Sequence, residues 1–144
     1  IAKAKEKGVK LYLPVDSLNA DNFDNAANTK VTAVGAVDDG WMGLDIAEKT
    51  IKEFSEVIEN SKTILWNGPM GVFEFEPFAQ GTYAIAKAVS ESKATSIIGG
   101  GDSISAIKKS GLADKITHIS TGGGASLEML EGKILPGLAA LDDL

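Results

Sequence analysis

The chain has 144 residues, 44% of them hydrophobic and 24% charged, with a formal net charge of −6. That length and composition suit one globular domain with a real core, and the negative balance argues against a general nucleic-acid or membrane surface. Cysteine is absent, which excludes disulfides and thiolate metal sites. No apolar run reaches transmembrane length and no signal peptide precedes the first predicted strand, so the expected compartment is cytoplasmic.

The opening "IAKAKEKGVK" reads as the tail of a helix stopped at Gly8, with no capping residue before it. Its lysines form a solvated face, and the chain looks like part of a longer protein. "VKLYLP" alternates and is β-prone, which predicts a strand ended by Pro14. The Asn/Asp-rich residues 16–30 read as a loop, "KVTAVGAV" as a second strand and "DDGWMGLD" as another loop. Ala47, Ile51, Phe54 and Ile58 then recur at helical spacing through "IAEKTIKEFSEVIEN".

"KTILW" predicts a short buried strand, followed by the breaker-rich "NGPMG". Phe78, Thr82, Ile85 and Val89 place one stripe on a second helix. "TSII" and "THIS" are strands, "DSISAIKKS" a helix stopped at Gly111, and "ASLEML" a helix stopped at Gly132. His118, on an apolar strand, reads as a packed residue rather than a catalyst. Strand and helix alternate from residue 63 onward, which predicts an α/β fold: a doubly wound, Rossmann-like parallel sheet with helices on both faces. The truncated first helix makes that fold incomplete at its N-terminus.

Two glycine triplets, Gly99-Gly100-Gly101 and Gly122-Gly123-Gly124, each follow a predicted strand and precede a helix. Ordering three glycines is costly, yet glycine permits close backbone approach and the helix start offers free N–H groups to an anion. Tight turns alone would explain one triplet; two at equivalent strand ends favour phosphate. Neither is a P-loop, and Ile104 and Leu127 stand where a dinucleotide fingerprint needs its third glycine. Asp102 reads as a helix cap in isolation, but beside a polyphosphate it reads as a Mg²⁺ ligand. "WNGPMGVFE" adds an apolar wall and Glu74, suited to a purine and a ribose.

"WNGPMGVFE", "IIGGGDS" and "STGGGASLEMLEGKILPGLAAL" resemble the C-terminal domain of the phosphoglycerate kinase family, with "LPVD", "GWMGLDI" and the terminal "LPG" agreeing in order and spacing. The resemblance covers residues 1–144 and implies a partial nucleotide-binding domain lacking the N-terminal substrate domain. It implies reversible phosphoryl transfer between MgATP and 3-phosphoglycerate, giving 1,3-bisphosphoglycerate and ADP in glycolysis. Leu44 and Val72 would line the adenine pocket, Asn67 and Pro69 would lie near the nucleotide, and Glu74 would hold the ribose. Gly100, Gly101, Asp102 and Ser103 would meet the phosphates and magnesium. Gly122, Gly123 and Gly124 would stabilise the phosphoryl group in transit.

One departure from the family pattern is Ala47-Glu48, where Gly-Pro is usual after "LDI". The resemblance implies a monomer that binds ATP or ADP, reaches 3-phosphoglycerate only through the absent domain, and is inactive alone. It also implies that the terminal "LPGLAALDDL" docks on that absent domain. The alternative classes are a non-catalytic nucleotide- or phosphate-binding module and a dinucleotide-dependent oxidoreductase.

Overall fold

In the computed structural model, residues 1–141 are described; Asp142, Asp143 and Leu144, part of the predicted docking tail, lie outside them. The chain divides into two compact units: Ile1–Val57 with Met70–Ile85, and Ile58–Pro69 with Ala86–Leu144.

The first unit opens with α1 (Ala2–Glu6), whose lysines are exposed or nearly so. It is built on an antiparallel sheet of β1 (Asp16–Ala20), β2 (Thr29–Ala33) and β3 (Met42–Ile46), in the order β2-β1-β3. Three expectations fail here. Residues 9–14 form no strand, and Val9, Leu11, Tyr12 and Leu13 are exposed. The central strand instead comes from the polar "DSLNA", and β3 from a stretch read as loop.

Hydrogen bonding explains the reversal. Buried Asn19 donates to Thr32 Oγ1 at 2.8 Å and accepts from the Ser17 hydroxyl at 2.8 Å, so its polarity is satisfied inside the sheet. The core of this unit is Ala20, Leu44 and Phe78, with Leu18, Ala27, Val72 and Phe75 packed against them. Phe75 also meets the Phe23 ring, centroid to centroid, at 5.1 Å.

Helix α2 (Glu48–Glu59) begins two residues later than its periodicity suggested, with Ala47 buried just before it. Its first turn is held from β1. Buried Asp16 accepts the N–H groups of Lys49 at 3.0 Å and Thr50 at 2.9 Å, and the Thr50 hydroxyl at 2.5 Å. A strand carboxylate thus does the work of an N-cap. Burial pushes the Asp16 carboxyl up, but the Thr50 and Lys49 hydrogen bonds and the nearby Lys49 charge outweigh it and hold its pKa below the ordinary value. Ala47 in place of Gly still supplies the carbonyl that receives Ile51 N–H, at 2.9 Å.

The second unit carries the expected parallel sheet: β4 (Thr63–Asn67), β5 (Thr95–Gly99) and β6 (His118–Ser120), in the order β4-β5-β6. Helix α3 (Gln80–Glu91) precedes β5, α4 (Gly101–Lys109) links β5 to β6, and α5 (Gly123–Leu130) follows β6. Both α4 and α5 pack on β5. The α/β class and the parallel alternation therefore hold. His118 is exposed rather than packed. The described chain closes with α6 (Pro136–Ala139).

Candidate functional site

The parallel strands of the second unit end in register. Asn67 pairs with Gly99, and Gly99 with Ser120, so three loops leave one carboxyl edge side by side. Ligands bind at this edge in open α/β sheets. The loop after β4 is pinned in two places: Trp66 Nε1 donates to Gly68 O at 2.6 Å, and Gly68 N–H donates to Ser103 Oγ at 2.6 Å. Ser103 is buried at the start of α4, and accepting that bond leaves its hydroxyl proton free to be donated elsewhere.

The glycines sort into two kinds. A Cβ on Gly123 would stand 2.2 Å from Gly100 N and 2.6 Å from Gly100 Cα, so the two triplets touch backbone to backbone. Gly100 has φ +90°, and a Cβ there would meet Asn67 Oδ1 at 2.7 Å. Packing therefore accounts for Gly100 and Gly123. It does not account for Gly101 or Gly124: both lie in the first turn of a helix, lack a positive φ, are exposed and have nothing within 4 Å of an added Cβ. Gly122, the residue before α5, would make only an ordinary contact with Ala125.

Asp102 lies exposed in the first turn of α4, and Gly100 occupies the cap position, where no side chain caps the helix. The cap reading of Asp102 thus fails, and its carboxylate is left available beside the N-terminal N–H groups. Among the described residues no group of three or more His, Cys, Asp or Glu could hold a metal ion. A magnesium ion carried largely by phosphate oxygens needs one such carboxylate, not a cage, so Asp102 fits it. Asn67, the last residue of β4, is exposed, and Pro69, in the loop after it, is half-buried.

In the first unit, Leu44 and Val72 line a cavity of ≈ 650 Å³ together with Leu13, Pro14, Ile46 and Met70. Val72 N–H donates to Leu44 O at 2.8 Å, which fixes the two predicted wall residues against each other. Glu74 is exposed in the turn after Val72 and does not line this cavity.

Sequence reasoning missed what holds this wall. Buried Asp45 accepts Ile46 N–H at 2.8 Å and, at the start of α3, Gly81 N–H at 2.7 Å. Burial pushes its pKa from the ordinary 3.8 up to about 6, and the two N–H bonds offset only part of that. A Cβ on Gly71 or Gly81 would collide with its Oδ1, at 2.4 and 2.3 Å. Fully buried Thr82 takes the N–H groups of Met70 and Gly71, at 3.0 and 3.3 Å. The only sequence signal for this lock was Gly71 and Gly81, glycines outside both triplets.

A parallel α/β sheet whose carboxyl edge presents two helix N-termini, glycine-lined, defines a class: proteins that bind phosphorylated ligands at strand ends. The phosphoglycerate kinase family model matches residues 1–133, and the chain belongs to that family. It is 58% identical over 146 residues to phosphoglycerate kinase of Synechococcus elongatus, covering 99% of this chain and 36% of the relative. Phosphoglycerate kinase 3, cytosolic, of Arabidopsis thaliana is 60% identical over 144 residues, with 98% and 36% covered. The structure of phosphoglycerate kinase from Coxiella burnetii matches with a TM-score of 0.90 at 46% identity, over 96% of this chain and 36% of that one. The chain thus spans about a third of the length of these relatives. Among the described residues no helix is long and apolar enough to cross a membrane.

Proposed function

We propose that this chain carries the nucleotide side of phosphoglycerate kinase, in which a phosphoryl group passes reversibly between MgATP and the carboxylate of 3-phosphoglycerate. The observation that carries the reading is the pair Gly101 and Gly124. Their lack of side chains serves no packing need, so it leaves room for something outside the protein at two helix N-termini. Adjacent helix N-termini favour anions, and phosphoryl transfer depends mainly on positioning and charge stabilisation.

In this reading Leu44 and Val72 face adenine and Glu74 takes the ribose hydroxyls. Asn67 and Pro69 flank the nucleotide, and Gly100, Gly101 and Ser103 meet its phosphates. Asp102 would hold magnesium, which when bound neutralises phosphate charge. As the bond from the γ-phosphorus to the bridging oxygen breaks, one forms to the acceptor carboxylate oxygen. The N–H groups of Gly122, Gly123 and Gly124 are the donors available to the oxygens of the group in transit. The acceptor belongs to the remainder of the enzyme, the working compartment is the cytosol, and the protein acts as a monomer.

Calorimetric titration of MgADP into the chain tests the nucleotide half. Binding is expected to weaken at least about ten-fold in Asp102→Ala and on omission of magnesium, the scale of losing a charge-assisted metal contact. Equal affinity in all three titrations would remove Asp102 and magnesium from the site.

A further inference from the structure

One wall of the first unit's cavity is a loop with few fixed points. Val34, Gly35 and Val37 line the cavity and belong to residues 34–41, which join β2 to β3. Val34 is 54% and Val37 38% exposed, so neither is anchored in a core. Gly35 and Gly40 have φ of +85° and +78°, with nothing within 4 Å of an added Cβ. Backbone bonds tie the near end, Val34 N–H to Val15 O and Ala36 N–H to Ala33 O, both at 3.1 Å.

The far end is held by Lys30 of β2. Its ammonium pairs with the Asp38 carboxylate and stands 3.7 Å from the centroid of the Trp41 ring. Trp41 N–H in turn donates to Asp38 O at 3.0 Å, making Asp38 and Trp41 one unit gripped by one cation. The Lys30 side chain is 32% exposed and that of Asp38 67%, so the ion pair is open to solvent and salt while the Lys30 stem is partly covered.

We propose that Lys30 is a positioning residue: by gripping Asp38 and Trp41 it holds residues 34–41 as a wall of the cavity and sets how long a nucleotide stays there. The wall stands on the geometry above, and only its effect on a nucleotide rests on the function proposed for the cavity. Both contacts require a cation at the end of a long stem. Lys30→Met keeps the stem and loses both, whereas Lys30→Arg keeps a charge that stacks on indole and pairs with carboxylate.

The test uses the full chain labelled with 5-fluorotryptophan, in wild-type, Lys30→Met and Lys30→Arg forms. Fluorine NMR follows Trp41, hydrogen exchange follows the amides of residues 35–40, and stopped-flow displacement gives the MgADP dissociation rate. In Lys30→Met the Trp41 resonance moves, loop exchange quickens and MgADP leaves roughly three- to ten-fold faster, the scale of one cation–π contact plus one exposed ion pair. Lys30→Arg restores all three. Unchanged loop exchange in Lys30→Met overturns the wall, whether or not MgADP binds. Faster exchange with an unchanged MgADP rate overturns its control of the ligand. If the wild-type chain binds no MgADP while Lys30→Met still frees the loop, the wall stands and the nucleotide reading falls.

Discussion

At the scale of single residues, a missing side chain and a buried charge say most about the site. Gly123 and Gly101 look alike in sequence, yet one is filled by Gly100 backbone and the other faces open space. Gly123→Ala should cost about 2–3 kcal/mol, the range for forcing extra volume into a packed contact. Gly101→Ala should instead leave stability unchanged or raise it by up to ~1 kcal/mol, since alanine is the better helix former. It should nonetheless weaken MgADP about ten-fold, a loss of roughly 1.4 kcal/mol. Urea unfolding beside calorimetry separates the two effects, and parallel losses of stability and binding in Gly101→Ala would contradict this assignment. Asp45 makes a second prediction, in pH. Its folded pKa of about 6 lies above the ordinary 3.8, so the folded state holds a proton that the unfolded state has released between those values. Its contribution is fully present below pH 3.8 and is lost as pH rises through about 6. The loss is on the order of 2–3 kcal/mol. Asp16 runs the other way: its lowered pKa gives stability present above the ordinary carboxylate value and lost as pH falls through the folded one. The difference in unfolding free energy between the wild type and Asp45→Asn, measured from pH 4 to 7, should isolate the first slope. A flat difference would rule it out.

At the scale of elements, α2 depends on a residue from β1. The Thr50 hydroxyl accepts Val15 N–H at 3.0 Å and Asp16 N–H at 3.1 Å while bonding the Asp16 carboxylate, so one buried group serves both the strand entry and the helix start. Thr50→Val preserves shape and removes every one of these bonds. It should cost about 2–3 kcal/mol, because buried N–H groups are left unpaired. A change in the midpoint of urea unfolding worth less than ~0.5 kcal/mol would show the bonds to be dispensable. This dependence also explains what could be read in the sequence. The parallel half was legible because "KTILW", "TSII" and "THIS" are short runs containing β-branched residues, each leading through turn residues into a helix. In the antiparallel half, "KVTAVGAV" anticipated β2, but β1 was not legible, because it buries Asp16, Ser17 and Asn19 wholly or partly through side-chain bonds to residues as distant as Thr32 and Thr50. Hydrophobic patterning cannot signal a strand stabilised that way. The same limit hid Asp45 and Thr82, whose partners are backbone N–H groups that any sequence would supply. The glycine triplets were visible as loop chemistry, but only the folded structure separates those that pack from those that stay open.

At the scale of the whole molecule, charge decides what this chain can do unaided. All fourteen basic residues are lysine, and the formal net charge is −6. The chain therefore has no guanidinium to hold a phosphoryl group bidentately, the usual device where planar recognition of phosphate matters. In the proposed site, its means of stabilising such a group are the N-termini of α4 and α5, each equivalent to about half a positive charge, and a cation that Asp102 would hold. On the function proposed above, those are expected to suffice for binding a nucleotide, whose charge the cation would largely offset. They do not match the charge spread over a transferring phosphoryl group, where a single arginine adds about 10³ to 10⁵ in rate in other phosphoryl-transfer enzymes. The expected outcome for the purified 144-residue chain is accordingly split. MgADP should bind, weakly and with a requirement for magnesium. A coupled assay with MgATP and 3-phosphoglycerate should show no turnover above background, at any pH between 6 and 8, even at saturating nucleotide. Adding free guanidinium at low millimolar concentration should not restore it, because an untethered cation lacks the positioning that makes the group effective. Robust turnover from the chain alone would mean that the two helix N-termini and lysines supply far more stabilisation than their charges imply, and would return catalysis itself to these residues.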